Sequence, residues 1–113
     1  MNEISGDKVL SVLSRHIGVA AGICADRLAT LCVHRDATPK DLRALRKAIQ
    51  QLRLEGYHIC AHPSTGYFMA SNADELDATC EFLYDRAMAS LAQISRMKKV
   101  SVPDIRGQLR LPT

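Results

Sequence analysis

The sequence predicts a mainly α fold with a small β-hairpin, in the order helix, helix, helix, hairpin, long helix. Three observations carry that expectation. Apolar residues recur at three- and four-residue steps in separate stretches, the mark of helices with one buried face. Two short runs containing aromatic residues flank Pro63-Ser64-Thr65-Gly66, as strands flank a turn. No Gly or Pro interrupts residues 73–101, so one helix can run through most of that span.

Val9, Leu10, Leu13 and Ile17 set the first helix, from about Asp7 to His16, with Gly18 ending it. Gly18 to Gly22 reads as a flexible connection, with a very short strand at Ile23-Cys24. A second helix spans about Ala25 to Val33 with Leu28 and Leu31 facing inward, and His34 to Ala37 forms a turn. The third helix has the clearest start: Thr38 as N-cap, Pro39 in the first helical position, and Asp41 near the exposed N–H groups. Leu42, Leu45, Ile49 and Leu52 form its inner face, and Gly56 stops it. Tyr57 to His62 and Gly66 to Ala70 make the hairpin. Asn72 caps the last helix, with Glu75 three residues on, and a length of about 26 residues would span roughly 39 Å. The expected division is therefore a domain over residues 7–71, a helix over 72–100 and an irregular basic tail over 101–113.

Composition narrows the function classes. Of the 113 residues, 47% are hydrophobic, enough for a packed core. No apolar run approaches the roughly 20 residues that span a bilayer, and Met1 to Asp7 lack a signal-peptide pattern, so a cytoplasmic, non-membrane protein is expected. A reducing compartment disfavours disulfides, so Cys24, Cys32, Cys60 and Cys80, all within apolar patterns, are expected as buried thiols. The net charge is only +3, but it is unevenly placed. Lys40 to Glu55 hold five basic and two acidic residues, residues 72–85 hold five acids and no base, and six basic residues with one acid follow from Arg86 on. Two basic zones around an acidic one suit a polyanionic partner met by particular surfaces, although solvated helix faces carry similar charge.

The residues themselves resemble a known family. Leu28-Ala29-x-Leu31, then Leu52-x-x-x-Gly56-Tyr57-x-Ile59, then Pro63-Ser64-Thr65-Gly66-Tyr67-x-Met69-Ala70 resemble winged helix-turn-helix regulators, most nearly the N-terminal DNA-binding domain of biotin operon repressors. The resemblance covers about residues 7–71; the sequence also resembles small prophage- or plasmid-encoded helix-turn-helix proteins. The turn from Cys32 to Thr38 is longer than the family's and lacks its Gly-hydrophobic step, and no biotin chemistry carries over. The resemblance implies double-stranded DNA as partner, with the third helix in the major groove and the hairpin as wing.

With Leu42, Leu45, Ile49 and Leu52 inward, Lys40, Arg43, Ala44, Lys47, Gln50 and Gln51 turn outward, with Arg46 on the flank and Arg53 nearer the core. Arg reads guanine and Gln reads adenine through paired hydrogen bonds, while Lys neutralises phosphate. The candidate DNA-binding set is Lys40, Arg43, Arg46, Lys47, Gln50 and Gln51, joined by Ser64 and Thr65 in the wing, whose tip has no Lys or Arg. An ordinary solvated helix would use the same residue types. In the last helix Leu76, Cys80, Leu83, Ala87, Ser90, Ile94 and Met97 follow the rhythm of a coiled coil, so Leu83, Ala87, Leu91, Ile94 and Met97 are the candidate homodimer contacts. An intramolecular core stripe would look alike.

His58, Cys60 and His62 share a strand face and Cys32-x-His34 offers another pair, but no Cys-x-x-Cys signature supports a metal site. No phosphate loop, nucleophile elbow or metal-hydrolase motif is present, so neither enzyme activity nor a cofactor is expected. The leading expectation is a sequence-specific transcriptional regulator. The alternatives are a winged-helix protein-interaction module serving replication or plasmid and phage maintenance, and a nonspecific architectural DNA binder.

Overall fold

The computed structural model describes residues 3–99, so the 101–113 tail lies outside the described residues. Four helices and a two-stranded antiparallel hairpin follow one another: α1 (Gly6–Leu13), a single 3-10 turn (Val19–Ala21), α2 (Ala25–Val33), α3 (Pro39–Leu54), β1 (Ile59–His62), β2 (Gly66–Met69) and α4 (Ala73–Lys98). The chain divides into two units at Thr79 and Cys80. That boundary falls inside α4 rather than at residue 72. The first turns of α4 are bonded into the N-terminal unit: Glu75 accepts from the Val19 N–H at 2.9 Å, and Thr79 Oγ1 accepts from the Ala61 N–H at 3.4 Å.

The core of the N-terminal unit gathers one face from each of the first three helices. Val9 and Leu13 of α1, Leu28, Ala29 and Cys32 of α2, and Leu45, Ile49 and Leu52 of α3 meet Ile23 and Ile59, all 5% exposed or less. Burying a side chain of the Leu or Ile class contributes about 1.5–3 kcal/mol. Leu31, expected inward, is 38% exposed. In α2 the buried residues are Leu28, Ala29, Cys32 and Val33, a three-and-four pattern centred one residue away from Leu31.

α1 ends at Leu13, three residues short of the expected His16. Its end is tightened by bonds from the Arg15 and His16 N–H groups to Val12 and Leu13, after which the chain turns to pair with β2. The His16 carbonyl accepts from the Met69 N–H at 2.8 Å, and the Gly18 N–H donates to the Met69 carbonyl at 2.9 Å. Next, Val19–Ala21 forms a 3-10 turn where a flexible connection was expected, and Ile23 exchanges both backbone bonds with Tyr67, at 2.7 and 2.8 Å. The short strand expected at Ile23-Cys24 is thus a single antiparallel bridge. β2 is paired along both edges, to β1 through Cys60–Phe68 and Ala61–Tyr67, and to residues 17 and 23 on the other side.

Pro63, Ser64 and Thr65 turn the hairpin, and Gly66 follows with φ +94°. A Cβ at Gly66 would collide with the Ile23 carbonyl, and one at Gly22 with the Thr65 backbone. Glycine at both positions lets the hairpin lie directly on the Ile23 segment. Two of the four cysteines are not buried as expected: Cys32 and Cys60 are enclosed, whereas Cys24 and Cys80 are exposed. Cys24 precedes α2 as its N-cap residue, and Cys80 lies on α4 where the second unit begins.

Candidate nucleic-acid interface

α3 begins as its sequence dictates. Thr38 Oγ1 accepts from the Asp41 N–H at 3.2 Å, and the Asp41 carboxylate accepts in return from the Thr38 N–H at 2.9 Å, a complete capping box with Pro39 in the first turn. Arg35, from the turn before, adds a two-pronged ion pair to the same carboxylate, at 2.6 and 3.2 Å. The Arg35 guanidinium, followed by the Thr38 N–H, holds the Asp41 carboxyl well below the usual carboxylate range.

This arrangement governs the charge on the outer face. Asp41 is the only acid within Pro39–Leu54, and it is 8% exposed and engaged with Arg35. Lys40, Arg43, Arg46, Lys47, Gln50 and Gln51 are all exposed, as the 100° turn per residue requires once Leu45, Ile49 and Leu52 face the core. Arg53 is withdrawn from the surface set: its Nε donates to the Ile59 carbonyl at 2.8 Å and ties the end of α3 to the start of β1. What remains outward is a ridge of cations at the N-terminal end giving way to amides.

Leu54 was not singled out by the sequence reading. It is 82% exposed, and its angular position falls among Arg43, Lys47 and Gln50. The signal was present, since a residue two places after buried Leu52 cannot share its face. Tyr57, just past Gly56, is 44% exposed. Arg35 was missed as well, because a partner six residues away across a turn has no periodic signature.

At the hairpin tip the two candidates separate. Ser64 is exposed, and its N–H donates to His62 Nδ1 at 3.0 Å. The Thr65 hydroxyl is enclosed and without a hydrogen-bond partner, so it does not face outward as a phosphate contact would require. The close approach of Thr65 to Gly22 turns it inward.

The candidate dimer contacts on α4 also divide. Leu83 is 41% and Met97 75% exposed, Ala87 is exposed and Ile94 half-buried, whereas Leu91 is only 8% exposed and is already covered in the single chain. Glu75 fixes the start of the helix, accepting from the Ser71 N–H and hydroxyl, each at 2.8 Å, and from Val19. Those donors, the Ser71 N–H foremost, lower its pKa.

A cleft of about 390 Å³ lies between α1 and α2, lined by Lys8, Ser11, Val12, Arg15, His16, Leu31, Cys32 and His34. Burial pushes the Cys32 thiol up. Of the cleft's basic side chains, Arg15 and His16 follow the end of α1 and His34 is the C-cap of α2, positions where outward carbonyls ordinarily attract cations. Among the described residues no three His, Cys, Asp or Glu side chains gather as metal ligands, and no helix is long and apolar enough to cross a membrane. Compared with known proteins, the chain matches no family model, no curated protein and no solved structure.

Proposed function

We propose that this chain is a sequence-specific DNA-binding protein of winged helix-turn-helix type, acting in the cytoplasm as a transcriptional regulator and as a homodimer through α4. One observation carries the reading. The outer face of α3 presents Lys40, Arg43, Arg46 and Lys47 followed by Gln50 and Gln51, while the one acid of the helix is held out of that field by Arg35. Lys40 and Lys47 stand seven residues apart, about 10.5 Å along the axis, a span that fits a major groove about 12 Å wide.

In this mechanism α3 enters the groove with its N-terminal part deepest. Arg43 pairs with guanine edges, Gln50 and Gln51 with adenine, and Lys40, Arg46 and Lys47 draw in the phosphates. Ser64 and backbone N–H groups of the hairpin contact the adjacent strand, but without Lys or Arg they add little counterion release. Binding represses by occluding polymerase or activates by recruiting it.

A second reading rests on Leu54 and Tyr57. An exposed leucine with an exposed tyrosine three residues on, together with an uncharged hairpin tip, also suits a protein-interaction module serving replication or plasmid and phage maintenance.

Selection of bound duplexes from a random pool separates the two, followed by salt titration of wild type and Arg43→Ala/Lys47→Ala. The expected result is an enriched two-fold motif, with specific binding lost in the double variant and a log–log salt slope shallower by about 1, from the phosphate contact of Lys47. No enrichment, with affinity unchanged by the double substitution, would remove α3 from the groove and favour the protein-interaction reading.

A further inference from the structure

From Cys80 on, α4 carries a second face that the single chain leaves open. Cys80, Leu83, Ala87, Ser90, Ile94 and Met97 follow alternating steps of three and four residues. All are exposed except Ile94, which is half-buried. This is the spacing of the seam of a two-stranded coiled coil.

Charge on the same helix is polarised end to end. Asp74, Glu75, Asp77, Glu81 and Asp85 occupy the first half, and Arg86, Arg96 and Lys98 follow, with Lys99 just past the helix end. If two copies paired in parallel, acidic half would lie on acidic half and basic on basic. The residues flanking the seam would then match Arg86 with Leu91 and Gln93 with Lys98, with no opposite charges joined. Reversing one copy changes every pairing. The acidic half runs along the basic half, and Asp77 on the flank of the seam comes opposite Lys98 of the partner subunit, twice by symmetry. The helix dipoles also oppose favourably. In the seam itself Cys80 meets the partner's Met97, Leu83 meets the partner's Ile94, and Ala87 meets the partner's Ser90. The small central layers allow close approach, with larger apolar pairs on both sides.

We infer that the open face of α4 takes a second copy of this chain, and that the two helices pair antiparallel about a two-fold axis between Ala87 and Ser90. The inference gives the homodimer proposed above its geometry and is independent of whether α3 binds DNA. A seam of less than three heptads makes a reversible, concentration-dependent dimer.

Cysteine placement reports the sense of pairing. In Cys24→Ser the accessible native thiol of the described residues is Cys80. Antiparallel pairing holds the two Cys80 thiols at opposite ends of the seam, so mild oxidation of Cys24→Ser leaves non-covalent dimer. Adding Met97→Cys is expected to give covalent dimer with position 80 linked to position 97, identified by peptide mass spectrometry. A Cys80–Cys80 link in Cys24→Ser would establish parallel pairing and overturn the proposal. Sedimentation of the untagged protein without DNA completes the test: monomer at all concentrations, or a dimer that neither variant links, overturns it too. Charge exchange gives a check without oxidation. Lys98→Asp is expected to weaken the dimer several-fold and Asp77→Lys/Lys98→Asp to restore it, whereas restoration would not occur in a parallel pair. A monomer that still enriches a half-site in the duplex selection would sink this inference and leave the reading of α3 standing.

Discussion

α3 and the part of α4 beyond Thr79 are both amphipathic helices, but their apolar sides have different fates. On α3, Leu45, Ile49 and Leu52 are at most 5% exposed, while the exposed charges of its polar side are all positive. On α4, Leu83 and Met97 remain 41% and 75% exposed, and its charges change sign along the axis. The difference teaches that an apolar stripe read from sequence states a need for burial and is silent about who meets it. For α3 the rest of the chain does so, which frees the opposite side for a ligand. For α4 the stripe itself is left to find a partner.

The sharpest way to break this contrast is Ile49→Ala. The side chain is 2% exposed, and its loss should cost about 2–5 kcal/mol, read as a lower denaturation midpoint with little change in slope. Leu83→Ala makes the corresponding change on α4. It should move folding stability by no more than about 0.5 kcal/mol while raising the dimer dissociation constant roughly tenfold, about 1.4 kcal/mol. Equal unfolding costs for the two would show that the α4 stripe is core after all.

Acid titration comes next in size. The Asp41 pKa is depressed in the folded protein, so its contribution is complete above the ordinary value near 3.8 and is lost as pH falls below it. Glu75 acts in the same sense from an ordinary value of 4.5. Arg35→Ala should therefore flatten the dependence of stability on pH below about pH 4, measured by urea unfolding at successive pH values. An unaltered profile would mean that Arg35 does not hold the Asp41 carboxylate. The smallest effect is expected from Thr65→Val, which replaces an enclosed, unpartnered hydroxyl by a methyl. Stability should stay level or rise by up to about 1 kcal/mol. A clear loss would mean that the hydroxyl has a partner.

Much of this was legible in the residues because it is local. The bounds of α2, the Thr38 cap, the run of α3 and the 26 residues of α4 depend on neighbours within a few positions. So does the outward face of Lys40, Arg43, Arg46, Lys47, Gln50 and Gln51, which the structure leaves exposed as expected. What was hidden depends on distant chain. After Leu13 the chain leaves α1 and pairs His16 and Gly18 with Met69, and Thr65 turns inward because Gly22 lies beneath it. Cys80 is exposed although it fits an apolar pattern, because that pattern is the open stripe. Leu54 and Arg35 were the misses closest to the candidate site, one an outlier from the core period and the other a pairing across a turn.

The first turn of α3 has a consequence for association. A helix end usually frays, and a partner that needs it formed must offset the lost chain entropy. Here Thr38, Asp41 and Arg35 close that turn in advance, directly beneath Lys40 and Arg43. Whatever meets those two cations encounters a surface already in shape. A partner of that face is therefore expected to dock as a rigid body, at a rate set by diffusion, orientation and ionic strength rather than by a folding step.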